Sequence, residues 1–388
     1  MKRGVYLDYN ATTPLLPQAL EAMLPFFTER FGNAASPHLW GKDASDAVEE
    51  ARHKLAQLLG AIPQEIFFTS GATEALNLAL FGLAEAYAST GRRHILVSPT
   101  EHKAVLDPLK VLSLRGWSVD FLPVDENGLI SPSDLRKALR QDTLVVAIML
   151  ANNETGVIQP VSELSAIAHE KGAFFLCDTT QAVGKIPVSL PALGVDIAVL
   201  SAHKFYGPKG IGALYLKRRS PRVNLQPILF GGGHERGLRS GTLPVPLIVG
   251  MSVALEIVMK DLPAEASRQS ALRDLLRDRL LEIYPSAREN GAAAPRLPNT
   301  LSMSFPGLKA SDILARTPLL GAATGSACSS ARPEPSHVLL AMGCSPELAR
   351  STLRFSVGRF TTAEDIEVAV EYLSTTFQSL SPRGKVLS

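Results

Sequence analysis

Residues 144–150, Leu-Val-Val-Ala-Ile-Met-Leu, form an unbroken apolar run. A strand with one wet face alternates apolar and polar residues, whereas one buried on both faces does not. The run therefore predicts a strand covered by helices on both sides, the usual condition of a parallel sheet. Similar stretches flank it. Glu65–Thr69, His94–Val97, Ser118–Leu122, Ala173–Cys177 and Ile197–Leu200 read as strands. Ala72–Ala88, Leu106–Leu114 and Val161–Lys171 carry helical spacing, with Ala75, Leu78, Ala79 and Leu83 on one face of the first. Ser131 and Pro132 read as the cap and first residue of another helix, and Gly172 as a helix stop. Repeated βα units predict an α/β fold with a mostly parallel, doubly wound sheet.

The rhythm changes after Val245. Helices are expected at Pro246–Met259, Ala264–Ile283 and Ala363–Phe377, with strands at Thr300–Phe305 and Thr352–Val357. This predicts a smaller α+β domain, and 388 residues are too many for one simple core. The expected division is a large domain over 14–255 and a small domain from 1–13 and 256–388. A net charge of +2 gives no electrostatic case for nucleic acid or a membrane surface. No apolar stretch is long enough to span a bilayer, and no secretory signal is visible at the start. With three cysteines, Cys177, Cys328 and Cys344, a disulfide framework is not expected. A reducing compartment, the cytoplasm, is the expected location. No metal site is expected.

Two of the predicted strands end in chemistry. Ala173–Cys177 runs into Asp178-Thr179-Thr180-Gln181, and Ile197–Leu200 into Ser201-Ala202-His203-Lys204. Ligands in α/β folds sit at the carboxyl ends of strands. A carboxylate for a pyridine nitrogen and a lysine for a Schiff base are what pyridoxal phosphate requires. Taken singly, Asp178 could be a helix cap and Lys204 a surface lysine; the pair argues for the cofactor. Gln181, a turn after Asp178, could hydrogen-bond the ring hydroxyl.

Ser70-Gly71-Ala72-Thr73 joins a strand to a helix, where backbone N–H groups make an anion site for a phosphate; a plain capping loop competes with this. Ser201 and His203 could add phosphate contacts. His102 follows the His94–Val97 strand and could stack on a ring and carry protons. Asn153 lies just past the apolar run and could orient a ring hydroxyl or a substrate carboxylate. Arg354 interrupts a strand, as either a sheet-edge charge or a clamp for a carboxylate. Cys328 sits among small polar residues, which suits a reactive thiol better than a packing one. Cys344 is expected to be inert.

Most of these residues lie in motifs that resemble the group I cysteine desulfurases of nitrogen fixation and iron–sulfur assembly, class V aminotransferase-like enzymes of fold type I. The motifs are Tyr6-Leu-Asp-Tyr-Asn-Ala-Thr-Thr-Pro14, Phe68-Thr-Ser-Gly-Ala-Thr-Glu74, Thr100-Glu-His-Lys-Ala-Val105, Asn152-Asn-Glu-Thr-Gly156, Ser201-Ala-His-Lys-Phe-Tyr-Gly-Pro-Lys-Gly210, Gly231-Gly-Gly-His-Glu-Arg-Gly237 and Arg354-Phe-Ser-Val-Gly-Arg-Phe-Thr-Thr362. The resemblance implies a seven-stranded sheet in the large domain and a catalytic-cysteine loop at about 322–336, similar to the long loop of group I. It implies Lys204 as the cofactor lysine, with Asp178, Gln181 and His102 around the ring. Ala72, Thr73, Ser201 and His203 would hold the phosphate, and Thr242 would reach the phosphate of the other subunit of a homodimer. Asn153, Arg354 and Asn10 would contact substrate.

It further implies that Lys204 removes the Cα proton of L-cysteine while His102 carries protons. The Cys328 thiolate then takes the substrate sulfur as a persulfide, L-alanine leaves, and the sulfur passes to a protein acceptor. Only Ser379–Ser388 follow the last predicted helix. Housekeeping iron–sulfur enzymes carry a longer scaffold-docking tail, so the acceptor stays open. Selenocysteine lyase, an aminotransferase of the same fold and a non-catalytic scaffold of sulfur complexes are the alternatives.

Overall fold

The computed structural model describes residues 3–218, 222–324 and 334–380. After β1 (Val5–Tyr6), strands β2 (Ile66–Thr69), β3 (His94–Val97), β4 (Ser118–Phe121), β5 (Thr143–Ala147), β6 (Phe174–Asp178), β7 (Ile197–Ser201) and β8 (Gly212–Leu216) follow in sequence. Strands β2 to β8 form a seven-stranded sheet in the order β2-β8-β7-β6-β5-β3-β4. The pairs from β7 through β6, β5 and β3 to β4 are parallel. β8 runs antiparallel to both of its neighbours.

Alternate residues of the central strands feed two apolar layers. Val146, Phe175 and Cys177 join one cluster with helices Leu39–Leu59, Val161–Glu170 and Val245–Lys260. Val145, Ala147 and Leu176 join the other with helices Ala72–Ala86 and Lys103–Leu114. The apolar run is thus buried on both faces, as its composition requires.

Two boundaries bear on chemistry. β6 ends on Asp178 itself, and β7 on Ser201, each one residue later than the apolar pattern suggests. Strand β2 starts at Ile66 because Pro63–Glu65 forms a 3₁₀ turn. The ladder of β5 stops at Ala147, but Ile148 N and Leu150 N still donate to Leu176 O and Asp178 O, at 3.0 and 2.9 Å.

The second layer system contains β9 (Arg288–Glu289), β10 (Thr300–Ser304), β11 (Leu320–Gly321), β12 (Ala323–Thr324) and β13 (Thr352–Ser356). An antiparallel sheet, β12-β13-β10-β9, packs on helices Leu262–Ile283 and Ala363–Leu380, and β1 pairs with β11. Val5 and Leu7 belong to this core, whereas Tyr9 belongs to the core of the large sheet. The chain therefore crosses between the two cores just before Asn10. Among the described residues no helix is long and apolar enough to cross a membrane.

Candidate active site

Parallel strands present their carboxyl ends along one edge. β6 delivers Asp178 there, and β7 delivers Ser201 and then the 3₁₀ turn Ala202–Lys204. The segments after β3 and β5 add His102 and Asn153. Asp178 is 8% exposed. Its Oδ1 accepts from Thr180 N at 2.8 Å, the local cap expected of an Asp after a strand. Its Oδ2 has no hydrogen-bond partner among the described residues.

His102 caps helix Lys103–Leu114, its Nδ1 accepting from Ala104 N at 3.1 Å. In the neutral ring the proton therefore sits on Nε2. Burial pushes its pKa below the ordinary histidine value. Asp178 pulls it upward, while Lys204 and His337 push it down. Asp178 and Lys204 thus both lie within electrostatic reach of His102. Lys204 Nζ donates to Asn10 O at 2.6 Å and Ala11 O at 2.7 Å. Gln181 Nε2 shares the Asn10 carbonyl at 3.0 Å.

Ala72 and Thr73 open helix Ala72–Ala86 behind Gly71, and no side chain caps that end. Orphan N–H groups at a helix start are an anion site. β8 draws this start towards β7. Gly212 pairs with Thr69 on one side and Ser201 on the other, and a Cβ on it would lie 2.7 Å from Gly71 Cα. The Ser201 hydroxyl faces Gly71, 3.7 Å from where a Cβ there would stand. His203 hydrogen-bonds through Nδ1 to Thr12 Oγ1 at 3.1 Å, and burial, then Lys204, lowers its pKa to about 4.

Arg354 is 6% exposed on β13, which is flanked by β12 and β10. It is not at a sheet edge, so that reading is corrected: the sheet order places a partner on each side. Its Nη2 meets Asp8 Oδ1 at 2.6 Å, and its Nη1 donates to Asn153 O at 3.1 Å. Among the described residues its Nε is buried without a partner, as is the Thr180 hydroxyl. Asn10 joins the two halves: Nδ2 donates to Asn153 O at 3.2 Å and to Thr300 Oγ1 at 2.9 Å. The Asn153 side chain has no hydrogen bond among the described residues. Thr242 is exposed and is not joined to the Gly71–Thr73 cradle of its own chain. Cys328, and most of the loop around it, lie outside the described residues.

Burial raises the pKa of the other two thiols. Cys177 is fully buried and pushed well up, with Glu101 and Asp178 adding to the effect. Cys344 is half-buried and raised. Neither is poised as a thiolate.

The sequence reading missed several neighbours of the site. Lys185, 7% exposed, donates to Gln181 Oε1 at 2.5 Å. Asp8 holds Arg354. Glu154 accepts from the Ser336 hydroxyl, and His337 Nε2 meets Glu101 O at 2.9 Å. Spacing offered one clue: Lys185 follows Gln181 by four, the interval that puts two side chains on one face of a turn.

The residues present fit pyridoxal phosphate. Among the described residues there is a helix start with no side-chain cap for a phosphate, a carboxylate oxygen without a partner for a ring nitrogen, a lysine amine on the Asn10 and Ala11 carbonyls, and an unpartnered guanidinium nitrogen for an anion.

Residues 5–368 match the model of the aminotransferase class-V family. The chain is similar to a cysteine desulfurase IscS of Anaeromyxobacter dehalogenans, 48% identical over 98% of this chain and 94% of that one. Among solved structures it resembles a NifS-like protein (TM-score 0.89, 39% identity), over 97% of this chain and all of the other. It also resembles SspA, solved in complex with cysteine (TM-score 0.82, 36% identity, 92% of this chain and 100% of that one).

Proposed function

The chain belongs to the aminotransferase class-V family, and from that membership we propose that it works as a cysteine desulfurase that takes sulfur from L-cysteine and releases L-alanine. The observation that carries this reading is the convergence of Lys204, Asp178 and His102 at the carboxyl edge of the sheet, delivered by the ends of β7 and β6 and by the start of helix Lys103–Leu114.

Bound pyridoxal phosphate supplies an aldehyde that condenses with amines and a ring that accepts the electron pair released at the substrate Cα. Asp178 Oδ2 is the partner for the ring nitrogen. The Ala72 and Thr73 N–H groups, with Ser201 and His203, are the phosphate cradle. Neutral His203 accepts or donates a hydrogen bond there without adding charge. Gln181 donates to a ring oxygen.

Lys204 would hold the cofactor covalently, and its amine would serve as the base that takes the substrate Cα proton. Arg354 and Asn153 hold the substrate carboxylate. His102 Nε2 carries a proton within the site, its neutral ring favoured by burial. Cys328 attacks the substrate sulfur. The balance is one C–S bond exchanged for C–H in alanine and one S–H on Cys328 exchanged for S–S. No outside oxidant is required.

Cys328 follows Thr324, which is pinned to Leu353 beside Arg354, by four residues. Four residues of extended chain reach about 13 Å, enough to bring a thiol back to that site. The persulfide then goes to a protein acceptor. The reading includes a large domain over 14–255, a small one from 1–13 and 256–388, and a cytoplasmic homodimer in which Thr242 completes the partner's phosphate site. Exposed Leu24, Phe27, Phe31, Leu39 and Trp40 give such a dimer an apolar surface.

Absorption spectroscopy with product analysis tests it. Protein purified with pyridoxal phosphate should be yellow and yield alanine from cysteine. Cys328→Ala should keep the band and lose sulfur transfer, and Lys204→Ala should lose the band. Turnover by Cys328→Ala, or a colourless wild type, overturns the reading.

A further inference from the structure

Lys185 is a buried side chain to which the chemistry above gives no task. Its two hydrogen bonds run to neutral amide oxygens, Gln181 Oε1 at 2.5 Å and Asn10 Oδ1 at 3.3 Å. Among the described residues it has no carboxylate partner. The charged groups that act on it, Lys204 and Arg354, are both cations, and burial with these two pushes its pKa well down. Lysine is almost never buried without a counter-charge. Its retention here needs a reason other than stability.

The partner supplies one. A glutamine amide has an acceptor end and a donor end of nearly equal size, and its neighbours decide which way it points. Lys185 Nζ occupies Oε1. The donor end, Nε2, therefore points away from Lys185 and reaches the Asn10 carbonyl at 3.0 Å. Lys204 Nζ sits on the same carbonyl at 2.6 Å. The Gln181 donors thus lie beside the cofactor lysine, and only one of the two hydrogens is needed for Asn10.

We propose that Lys185 is a positioning residue. By holding Gln181 Oε1, it keeps the Gln181 N–H donors turned towards the ring oxygen of the cofactor joined to Lys204. The inference rests on the pyridoxal phosphate reading above. In that molecule the ring hydroxyl is ortho to the ring carbon that carries the aldehyde, so a donor beside Lys204 would face its oxygen. A donor there favours the oxyanion and eases loss of the proton shared between that oxygen and the lysine nitrogen. Without Lys185 the amide can turn, and an acceptor then faces an oxyanion.

The test is a pH titration of the visible band of the cofactor-loaded protein. Lys185→Met should raise the midpoint by about one pH unit, a tenfold change in proton affinity. Lys185→Gln, which can still donate to Gln181 Oε1, should stay within a few tenths of a unit of wild type. In a Gln181→Ala background, Lys185→Met should add no further shift. Gln181→Glu keeps a partner for Lys185 yet removes the donor, so it should also raise the midpoint; it serves if the Met variant does not fold. The proposal is overturned by an unshifted Lys185→Met or Gln181→Glu, by a Lys185→Gln shift as large as that of Met, or by a full shift in the Gln181→Ala background. A wild type without any visible band would instead sink the cofactor reading itself.

Discussion

Arg354 Nη2 lies 2.6 Å from Asp8 Oδ1, so the guanidinium assigned to a substrate carboxylate already holds an internal one. The two residues are 346 positions apart in sequence. They meet because β1 and β13 both lie in the second core, with Asp8 bridged in parallel to Ser356. A substrate carboxylate must share or displace Asp8, while the Arg354 Nε has no partner among the described residues.

Arg354→Lys keeps the charge but loses the two-pronged geometry. Losing one charge-assisted hydrogen bond costs about 1.5–3 kcal/mol, roughly ten- to hundredfold in binding. Because the carboxylate is held before and during the reaction, the loss should fall on KM and leave kcat nearly unchanged. Asp8→Asn should move KM the other way, by relieving competition for the guanidinium. Steady-state kinetics with L-cysteine check both; a change confined to kcat counts against the clamp.

Ser336 fixes the far end of the segment that carries Cys328. Its hydroxyl donates to Glu154, the neighbour of Asn153, and accepts from Leu339 N at 3.2 Å as the cap of helix His337–Ala341. Ser336→Ala removes a cap worth about 1 kcal/mol and strands a buried carboxyl at a further cost of about 1–3 kcal/mol. The expected outcome is a lower unfolding midpoint together with slower persulfide formation on Cys328 in a single turnover, at an unchanged visible band. Persulfide formation at the wild-type rate would show that this anchor does not govern the thiol.

Much of this was legible in the sequence where chemistry sits at the end of an apolar run. Asp178 and Ser201 were placed to within a residue because β6 and β7 are buried on both faces and end where polarity begins. Helix Leu39–Leu59 went unread. Its buried stripe is built largely of Ala44, Ala47, Ala51 and Ala56, which contrast weakly with their polar neighbours, and its cap is the uncommon His38. Contacts such as Asp8 with Arg354 and Ser336 with Glu154 depend on how the two cores dock, and no local spacing encodes that. Lys185 was hidden for a different reason: a lone lysine reads as surface until burial is known.

His203 predicts acid sensitivity. Burial, with Lys204, Lys209 and Lys185, lowers its pKa to about 4, below the ordinary histidine value. Between about pH 6.5 and pH 4 the unfolded chain therefore binds more protons at this position than the folded one. By linkage, stability falls as pH falls through that window, and the full penalty is reached below the folded value. His203→Asn removes this contribution. Denaturant midpoints of cofactor-free protein should show the variant gaining on wild type between pH 7 and pH 4.5. A gap that is constant with pH would rule out His203 as a source of the slope.

Arg52 and Glu235 form a buried two-pronged pair, Nη2 to Oε1 at 2.7 Å and Nη1 to Oε2 at 2.9 Å. Glu235 also accepts from Phe68 N at 2.7 Å, and the guanidinium lies over the Phe68 ring. The pair ties helix Leu39–Leu59 to β2 and to a turn in which Glu235 and Arg236 both take left-handed backbone angles, φ 49° and 58°. Such a turn in residues with side chains costs about 1–3 kcal/mol each and persists only when its surroundings hold it. Glu235→Ala leaves the Arg52 charge buried and the Phe68 N–H unpaired, so a loss of about 3–5 kcal/mol is expected. Arg52→Met combined with Glu235→Leu removes both charges and should recover part of that loss, but not all of it, since the Phe68 N–H still lacks an acceptor. The same turn leads to Arg239, whose pairing with Glu74 fixes the segment before Thr242. In the proposed homodimer both variants should therefore also weaken association, which sedimentation can read. If Glu235→Ala unfolds at the wild-type denaturant midpoint, the pair does not hold the turn.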